Sequence, residues 1–185
     1  MGYKKTLTEI FAEFGHFGSD IGCNDKGSNH NYLKDYDKLF KPYQNGGSIL
    51  EIGLAMGDSI KLWDRYFENA TIVGADISVV FTLGEYKNRV VVIQCDATKK
   101  GFLEPIKDFT FDIIVDDGSH MEADQIATFE LLKHKMNPGG IYIIEDILAI
   151  EQNKSRFEAL HDNCEVYDFR SISGTFADVF ILYRF

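Results

Sequence analysis

Acidic side chains follow two apolar runs of this sequence, at positions where carboxylates could do chemistry. Asp117 and His120 come after the run 111–116, and Glu145 and Asp146 come after the run 141–144. Both runs are rich in Ile and Val, which is typical of buried parallel strands. Because such strands end at the sheet edge where α/β folds bind ligands, the four side chains should converge. Carboxylate oxygens suit a hard divalent cation and an imidazole can accept a proton, so the pattern predicts an active site.

A glycine-bearing turn and two further strand ends predict a nucleoside pocket. The turn is Glu-Ile-Gly-Leu-Ala-Met-Gly-Asp-Ser at 51–59, and it precedes a helix whose free N–H groups could hold an anionic group. Asp76 ends the next apolar run, at the spacing where a carboxylate can accept both hydroxyls of a ribose. Asp96 and Ala97 end the third run, where they could meet an adenine ring and its amino group.

Each of these residues also has a purely structural explanation. Glycine turns and acids at strand ends are ordinary features of loops. His120 could cap the following helix or bond to Asp117, and Asp116 could face a cofactor sulfonium or simply end its strand. Glu145 and Asp146 could form a solvated pair, although acids directly after an apolar run are costly unless they are partnered.

The order of elements predicts an α/β fold with a seven-stranded, Rossmann-like sheet and helices on both faces. Five parallel strands are expected at 48–55, 71–77, 90–95, 111–116 and 141–146. The tail offers strands at 165–169 and 178–183 with no room for a helix between them, which predicts an antiparallel hairpin. Helical stripes are expected at Ile60, Trp63 and Phe67 behind an Asp58 or Ser59 cap, at 126–136 and at 151–161.

We expect a single domain, with a helical cap at 1–45 and a cofactor-binding sheet at 46–185. Helical stripes at 7–14 and 32–40 make up the cap, and a Gly/Asn/Asp-rich loop at 15–31 between them could act as a hinge. The chain has 185 residues, which is enough for one domain with a substantial core.

Charge and composition exclude several function classes. Nineteen basic against twenty-nine acidic residues give a net charge of -10 without a Lys/Arg block, so nucleic acid is not an expected partner. No apolar run resembles a signal peptide or a membrane span, so we expect a cytoplasmic protein without a membrane partner. Cys23, Cys95 and Cys164 are widely spaced, which predicts buried free thiols in a reducing compartment. The sequence leaves open whether the chain forms a homo-oligomer.

From residue 48 onward, the chain resembles the Rossmann-like methyltransferases that use S-adenosylmethionine, including the closing hairpin. Ala55 stands where the common glycine pattern has its middle glycine, which argues against NAD because a pyrophosphate needs close approach of the backbone. The resemblance implies S-adenosylmethionine as the cofactor. The cofactor-binding residues that it implies are Glu51, Gly53, Met56, Ser59, Asp76, Ser78, Asp96, Ala97 and Asp116.

A narrower resemblance is carried by Val-Asp-Asp-Gly-Ser-His at 115–120, Pro-Gly-Gly at 138–140, Ile-Glu-Asp at 144–146 and the segment 24–32. Together they resemble the macrocin and mycinamicin sugar O-methyltransferases and related cephalosporin-biosynthesis proteins, which methylate a hydroxyl with a magnesium ion and a histidine base. The resemblance implies Mg²⁺ held by Asp117, Glu145 and Asp146, with His120 as the general base. It also implies a hydroxylated small-molecule acceptor such as a sugar. We expect this chain to lack the extra N-terminal domain of the macrolide enzymes.

Two other function classes remain as alternatives. One is a binding protein that keeps the methyltransferase fold without its chemistry, although such a protein would not need the whole set of acids and histidine. The other is a nicotinamide-dependent oxidoreductase, which Ala55 and the C-terminal hairpin disfavour.

Overall fold

Apolar runs and amphipathic segments alternate along the chain and form the strands and helices of one sheet. The computed structural model describes residues 4–15, 26 and 32–185. The strands are β1 Ser48–Ile52, β2 Thr71–Asp76, β3 Arg89–Gln94, β4 Phe111–Asp116, β5 Met136–Ile144, β6 Cys164–Asp168 and β7 Val179–Arg184. The helices are α1 Leu7–Gly15, α2 Leu33–Phe40, α3 Asp58–Tyr66, α4 Glu122–Leu132, α5 Ile150–Glu158 and the single turn α6 Arg170–Ser173. Short 3₁₀ turns cover Lys41–Tyr43, Lys100–Leu103 and Lys133–Lys135.

The strand order is β3-β2-β1-β4-β5-β7-β6. Strands β1 to β5 pair in parallel, and β7 lies antiparallel between β5 and β6. The predicted seven-stranded sheet with a C-terminal antiparallel pair is therefore confirmed. From β1 the chain continues to β2 and β3 on one side of the sheet, and from β4 it continues to β5 and the C-terminal pair on the other side. The carboxyl ends of these two neighbours form the crevice where open α/β sheets bind ligands.

The sheet is buried on both faces, which explains why its strands read as continuous apolar runs. Alternate residues of one strand enter different cores: Ile49 belongs to the core under α1, α2 and α3, whereas Leu50 belongs to the core under α4 and α5. Trp63 of α3 and Phe129 of α4 are both fully buried. Trp63 is therefore a core residue, as its helical spacing indicates.

Several predicted boundaries are wrong for local backbone reasons. Strand β1 ends at Ile52 rather than at residue 55 because Gly53 turns into the left-handed region with φ +84°. Gly57, also left-handed, is the N-cap of α3, so neither Asp58 nor Ser59 caps it. Strand β5 begins at Met136, which pairs with β4 before a register shift and is therefore not helical. A helical turn, α6, fits between β6 and β7 after all.

The two helical stripes expected near the N-terminus form α1 and α2, and their apolar residues enter the same core as Trp63. The suggested hinge loop and Cys23 lie outside the described residues, except for Gly15 and Lys26. Cys95 and Cys164 are free thiols, and both are partly rather than fully buried. Within the described ranges, no helix has the length and apolar character that crossing a membrane requires.

Candidate active site

Backbone hydrogen bonds hold the ends of the central strands side by side. The N–H of Gly53 donates to the carbonyl of Ala75 at 2.9 Å, and the N–H of Asp117 donates to the carbonyl of Ile52 at 2.9 Å. The N–H of Glu145 donates to the carbonyl of Asp116 at 2.9 Å. The acids that follow β4 and β5 therefore lie next to each other and next to the glycine turn, as the sequence predicts.

Asp117, His120 and Asp146 form a group that could hold a cation. One ligand atom of each lies within 4.8 Å of the other two, and His120 Nε2 lies 4.0 Å from Asp146 Oδ2. His120 and Asp146 both have left-handed backbones, with φ +57° and +53°. Such conformations cost about 1–3 kcal/mol in residues other than glycine, and they concentrate at functional sites. The helix-capping role considered for His120 is excluded, because the N-cap of α4 is Met121.

Glu145 lies apart from this group and faces the N-terminal elements. Its side chain is 1 % exposed, so the solvated pair that the sequence allowed is wrong for it. The hydroxyl of Tyr36 donates to Glu145 Oε1 at 2.6 Å, and the ammonium of Lys26 lies 2.8 Å from both carboxylate oxygens. Its neighbour Asp146 is also buried and accepts a hydrogen bond from the Tyr32 hydroxyl at 3.0 Å.

Lys26 is the site residue that sequence reasoning missed. Its ammonium donates to Asp117 Oδ2 at 2.6 Å and lies 3.5 Å from Glu51 Oε1, in addition to its contacts with Glu145. Burial favours the neutral amine, but the carboxylates of Asp117, Glu145 and Glu51 more than offset it and raise the pKa of Lys26 well above its usual value. The site therefore contains a buried ammonium of its own.

Asp116 lies beneath the site at the end of β4. Its carboxylate is 2 % exposed and accepts hydrogen bonds from the Gly118 N–H at 3.3 Å and from the Tyr142 hydroxyl at 3.5 Å. Burial, reinforced by the charge of Asp117, raises the pKa of Asp116 to about 7. The acid is thus able to exist in either protonation state near neutral pH.

A cavity of about 380 Å³ opens at the carboxyl ends of β1 to β4. Its lining includes five of the predicted cofactor residues, namely Gly53, Asp76, Asp96, Ala97 and Asp116. Thr98 donates to Asp96 Oδ1 through both its N–H, at 2.9 Å, and its hydroxyl, at 2.6 Å. These bonds fix the loop after β3 against the cavity.

A second cavity of about 290 Å³ lies on the other side of Asp76. Gly53, Asp76 and Gly118 line both cavities. The second cavity is also lined by Met56 and Ser59 of the glycine turn, and by Lys26, Asp117 and His120. The predicted cofactor residues and the acid–histidine group therefore share one connected surface.

The carboxylate of Asp76 holds the glycine turn by hydrogen bonds. Its Oδ2 accepts hydrogen bonds from the N–H groups of Leu54 and Ala55 at 2.6 and 3.3 Å, and its Oδ1 accepts one from the N–H of Ser78 at 2.8 Å. Ala55, at the middle position of the glycine pattern, has φ +45°. An alanine thus adopts the left-handed conformation that glycine usually supplies at this position.

Two of the predicted cofactor residues line neither of these cavities. Glu51 is fully buried, where it accepts a hydrogen bond from Trp63 Nε1 at 2.9 Å and faces Lys26. Ser78 is exposed, and its N–H bonds to Asp76. In this structure Glu51 therefore acts within the core and Ser78 acts through its backbone.

Comparison with known proteins identifies relatives over part of the chain. It is 32% identical over 134 residues to the 8-demethyl-8-alpha-L-rhamnosyl tetracenomycin-C 2'-O-methyltransferase of Streptomyces olivaceus. The aligned region covers 67% of this chain and 35% of that protein. It is 34% identical over 128 residues to the mycinamicin VI 2''-O-methyltransferase of Micromonospora griseorubida, and the aligned region covers 64% of this chain and 32% of that protein. The chain thus spans about a third of the length of these relatives. No family model matches it.

Solved structures extend the likeness to nearly the whole chain. MycE methyltransferase from the mycinamycin biosynthetic pathway, in complex with Mg, SAH and mycinamycin VI, aligns with a TM-score of 0.73 and 25% identity, over 98% of this chain and 55% of that chain. The O-methyltransferase from Bacillus cereus in complex with SAH aligns with a TM-score of 0.59 and 18% identity, over 98% of this chain and 91% of that chain. The second likeness concerns the fold alone. This chain therefore has a Rossmann-like methyltransferase fold and is similar to the macrocin and mycinamicin sugar O-methyltransferases.

Proposed function

We propose that this chain transfers a methyl group from S-adenosylmethionine to a hydroxyl of a sugar or another small molecule, with the help of a divalent cation. The observation that carries the proposal is the shared wall of the two cavities. Gly53, Asp76 and Gly118 line both of them, and the second cavity leads to Asp117 and His120. A cofactor that spans both cavities would therefore bring its reactive end to the acid–histidine group.

The first cavity suits the adenosine part of the cofactor. Asp96 and Ala97 would meet the adenine, and Asp76 would accept the ribose hydroxyls. The methionine part would enter the second cavity beside Gly53, Met56 and Ser59, where the N–H groups at the start of α3 favour its carboxylate. Asp116 would lie beneath the sulfonium. Glu51 would support this surface from the core, and Ser78 would support it through its N–H bond to Asp76.

The donor set at the far end of the second cavity fits a hard divalent cation such as Mg²⁺. Asp117 and Asp146 offer carboxylate oxygens within 4.8 Å of each other, and both belong to the predicted ligand set. A bound cation there would stabilise negative charge on the acceptor oxygen. Glu145, the third predicted ligand, differs from them because both of its oxygens already contact Lys26.

His120 would accept the proton of the acceptor hydroxyl. Its side chain is 36% exposed and lines the second cavity, so an acceptor can reach it. Its Nε2 lies 4.0 Å from Asp146 Oδ2. Methyl transfer then needs the acceptor oxygen, the methyl carbon and the sulfur in line, which the two connected cavities would enforce by orientation.

In this proposal residues 46–185 are the cofactor-binding sheet and residues 1–45 are a cap that supports the acids through Lys26, Tyr32 and Tyr36. The partner is a small hydroxylated acceptor. The net charge of -10 disfavours nucleic acid as a partner.

Two measurements test the proposed function. S-adenosylhomocysteine should raise the melting temperature of the purified chain, whereas NAD should not. With Mg²⁺ and methyl-labelled S-adenosylmethionine, a panel of glycosylated small molecules should yield at least one labelled product. Stabilisation by NAD alone would instead favour an oxidoreductase. Cofactor binding without transfer to any acceptor would favour a binding protein that keeps the fold.

A further inference from the structure

A third cavity lies at the far end of α3 from the candidate active site. It has a volume of about 270 Å³, and its lining includes Tyr66, the last residue of α3. Asp58, the first residue of α3, lines the second cavity instead. The helix has nine residues, so its two ends are roughly 12 Å apart. The third cavity is therefore distinct from the proposed cofactor and cation sites.

The lining of the third cavity is basic, although the chain as a whole has a net charge of -10. The basic side chains among the described lining residues are Lys4, Lys5, Arg65 and Lys87. The two acidic ones are both paired: Glu68 lies 2.7 Å from the Lys4 ammonium, and Glu13 pairs with Lys5. Four basic against two acidic side chains give this cavity an excess of two positive charges.

Lys87 is held at its backbone and still has donors to offer at its ammonium. Its N–H donates to Asp64 Oδ2 at 3.2 Å, and the N–H of Asn88 donates to Asp64 Oδ1 at 2.8 Å. Its ammonium donates to the carbonyl of Arg65 at 3.0 Å. An ammonium has three N–H donors, so this bond leaves others for a ligand. The lysine therefore extends from a fixed point towards the cavity that it lines.

Gln44 is a buried amide in the wall of this cavity. The residue is 3% exposed, and its backbone is used, since its N–H donates to the carbonyl of Lys41 and its carbonyl accepts from the N–H of Glu68 at 2.8 Å. Within the described ranges, no hydrogen bond reaches its side-chain amide. A buried amide without a partner is unfavourable, and it offers two N–H donors and one carbonyl acceptor. This independent feature also indicates a polar ligand.

We propose that the third cavity binds a small phosphate monoester, with its phosphate between Arg65 and Lys87 and its organic part beside Gln44. At pH 7 a phosphate monoester has about -1.5 to -2 charges, which matches the excess of two positive charges, whereas a carboxylate matches half of it. The organic part would rest on Ile10 and Tyr66, which are both buried and line the cavity. The volume lies just below the usual range of about 300–1,000 Å³ for ligand pockets, so the ligand is small.

Calorimetric titration of phenyl phosphate into the full chain tests the inference. The titration is made in a phosphate-free buffer at constant ionic strength, with benzoate as a probe that has the same ring and a single charge. Phenyl phosphate should bind with a dissociation constant below about 1 mM, and benzoate should bind at least about tenfold more weakly.

Two lysine variants test where the phosphate binds. Lys87→Gln should weaken binding of phenyl phosphate by at least about tenfold, because a hydrogen bond from a charged donor is lost. Lys154→Gln, at an exposed position of α5 outside the cavity, removes the same charge from the protein and is the matched control. It should change the dissociation constant by less than about twofold, because charges more than about 10 Å apart in solvent are largely screened.

Gln44→Leu has an expected result that a purely structural residue would not give. Leucine has a similar size, and no side-chain hydrogen bond within the described residues is lost, so the melting temperature of the free protein should stay the same or rise. Binding of phenyl phosphate should nevertheless weaken by about three- to tenfold, the usual worth of one neutral hydrogen bond.

Several results would overturn the inference. They are the absence of phenyl phosphate binding at about 10 mM, equally tight binding of benzoate, and equal weakening by Lys87→Gln and Lys154→Gln. A lower melting temperature of Gln44→Leu with unchanged binding would make Gln44 a structural residue and also contradict the site. None of these measurements uses S-adenosylmethionine, a metal ion or an acceptor, so their failure leaves the proposed function untouched.

Discussion

At the scale of single residues, the acids of this site differ in what already holds them. Asp76 is held by three backbone N–H groups, Glu145 by Lys26 and Tyr36, and Asp146 by Tyr32. An ionised carboxylate has about four lone-pair sites, so Asp76 can accept a further hydrogen bond without losing those it has. The residues are therefore fixed before any ligand arrives, which limits the ordering that binding must cause.

Asp76→Asn should weaken binding of S-adenosylhomocysteine by roughly 10- to 100-fold, since a charged acceptor of ribose hydroxyls is worth about 1.5–3 kcal/mol. The asparagine keeps the size of the side chain, and its one oxygen can still accept from the N–H groups of Leu54 and Ala55, so the glycine turn should survive although the N–H of Ser78 loses its acceptor. Calorimetry measures the affinity. Asp108→Asn, at an exposed position outside both cavities, is the matched control and should bind normally. Unchanged affinity in a folded Asp76→Asn protein would remove the ribose assignment.

His120→Gln should lower kcat for methyl transfer by about 10²- to 10⁴-fold, the usual worth of a general base. Binding of S-adenosylhomocysteine should hardly change, because glutamine retains polarity and approximate size. His134→Gln, at an exposed histidine of the 3₁₀ turn after α4, is the matched control and should keep full activity. Initial rates under saturating cofactor measure the effect. A mutant with near-normal turnover would assign the proton transfer to another group.

The contrast between Lys26 and the predicted acids shows what a sequence can reveal about a site. The acids were predictable because each follows an apolar run, and neighbouring parallel strands bring their ends together. Lys26 lies in a polar stretch of the sequence without hydrophobic periodicity, and its partners Asp117 and Glu145 are 91 and 119 residues away. Only a general argument points to such a residue: buried acids at several strand ends need a positively charged partner. The sequence does not identify which residue supplies the charge.

At the scale of elements, the strands were predictable and their ends were not. Long Ile/Val runs determine the sheet because it is buried on both faces. Ends depend on single backbone angles: Gly53 at φ +84° stops β1, and the register shift near Phe111 lets β5 start at Met136. Hydrophobic periodicity contains no information about either feature.

Gly53 provides the test at this scale. A Cβ on Gly53 would lie 1.9 Å from the carbonyl oxygen of Asp117, and a left-handed backbone costs a residue with a side chain about 1–2 kcal/mol even without that clash. Gly53→Ala should therefore lower the free energy of unfolding by at least about 2 kcal/mol, or the melting temperature by about 4–8 °C.

Its effect should also reach the site, because the clash displaces the backbone that carries Asp117. Binding of both S-adenosylhomocysteine and Mg²⁺ should weaken in Gly53→Ala. Gly84→Ala is the matched control, since a Cβ there meets nothing within 4 Å and its stability should stay within about 0.5 kcal/mol. A Gly53→Ala protein as stable as the control would contradict the close packing of the turn on β4.

At the scale of the whole molecule, the N-terminal helices and the sheet meet through one aromatic layer. Tyr32 packs edge-on against Phe169 and Phe180, and Tyr36 stacks on Phe40. The hydroxyls of the two tyrosines reach Asp146 and Glu145. The cap therefore combines apolar burial with hydrogen bonds to the acids, so the geometry of the proposed cation site depends on elements from both ends of the chain.

Removal of divalent cations should affect the proposed cation site and leave the proposed cofactor pocket intact. Chelation should abolish methyl transfer, because the proposed cation would stabilise charge on the acceptor oxygen. The proposed cofactor contacts of Asp76, Asp96 and the glycine turn do not involve that cation. S-adenosylhomocysteine should therefore still stabilise the chelated protein, by about 2.7 kcal/mol at a concentration 100 times its dissociation constant. Thermal unfolding with and without chelator measures this, and activity should return on adding Mg²⁺. Full turnover after exhaustive chelation would show that Asp117 and Asp146 serve His120 directly, and loss of cofactor binding on chelation would show that the two halves are not independent.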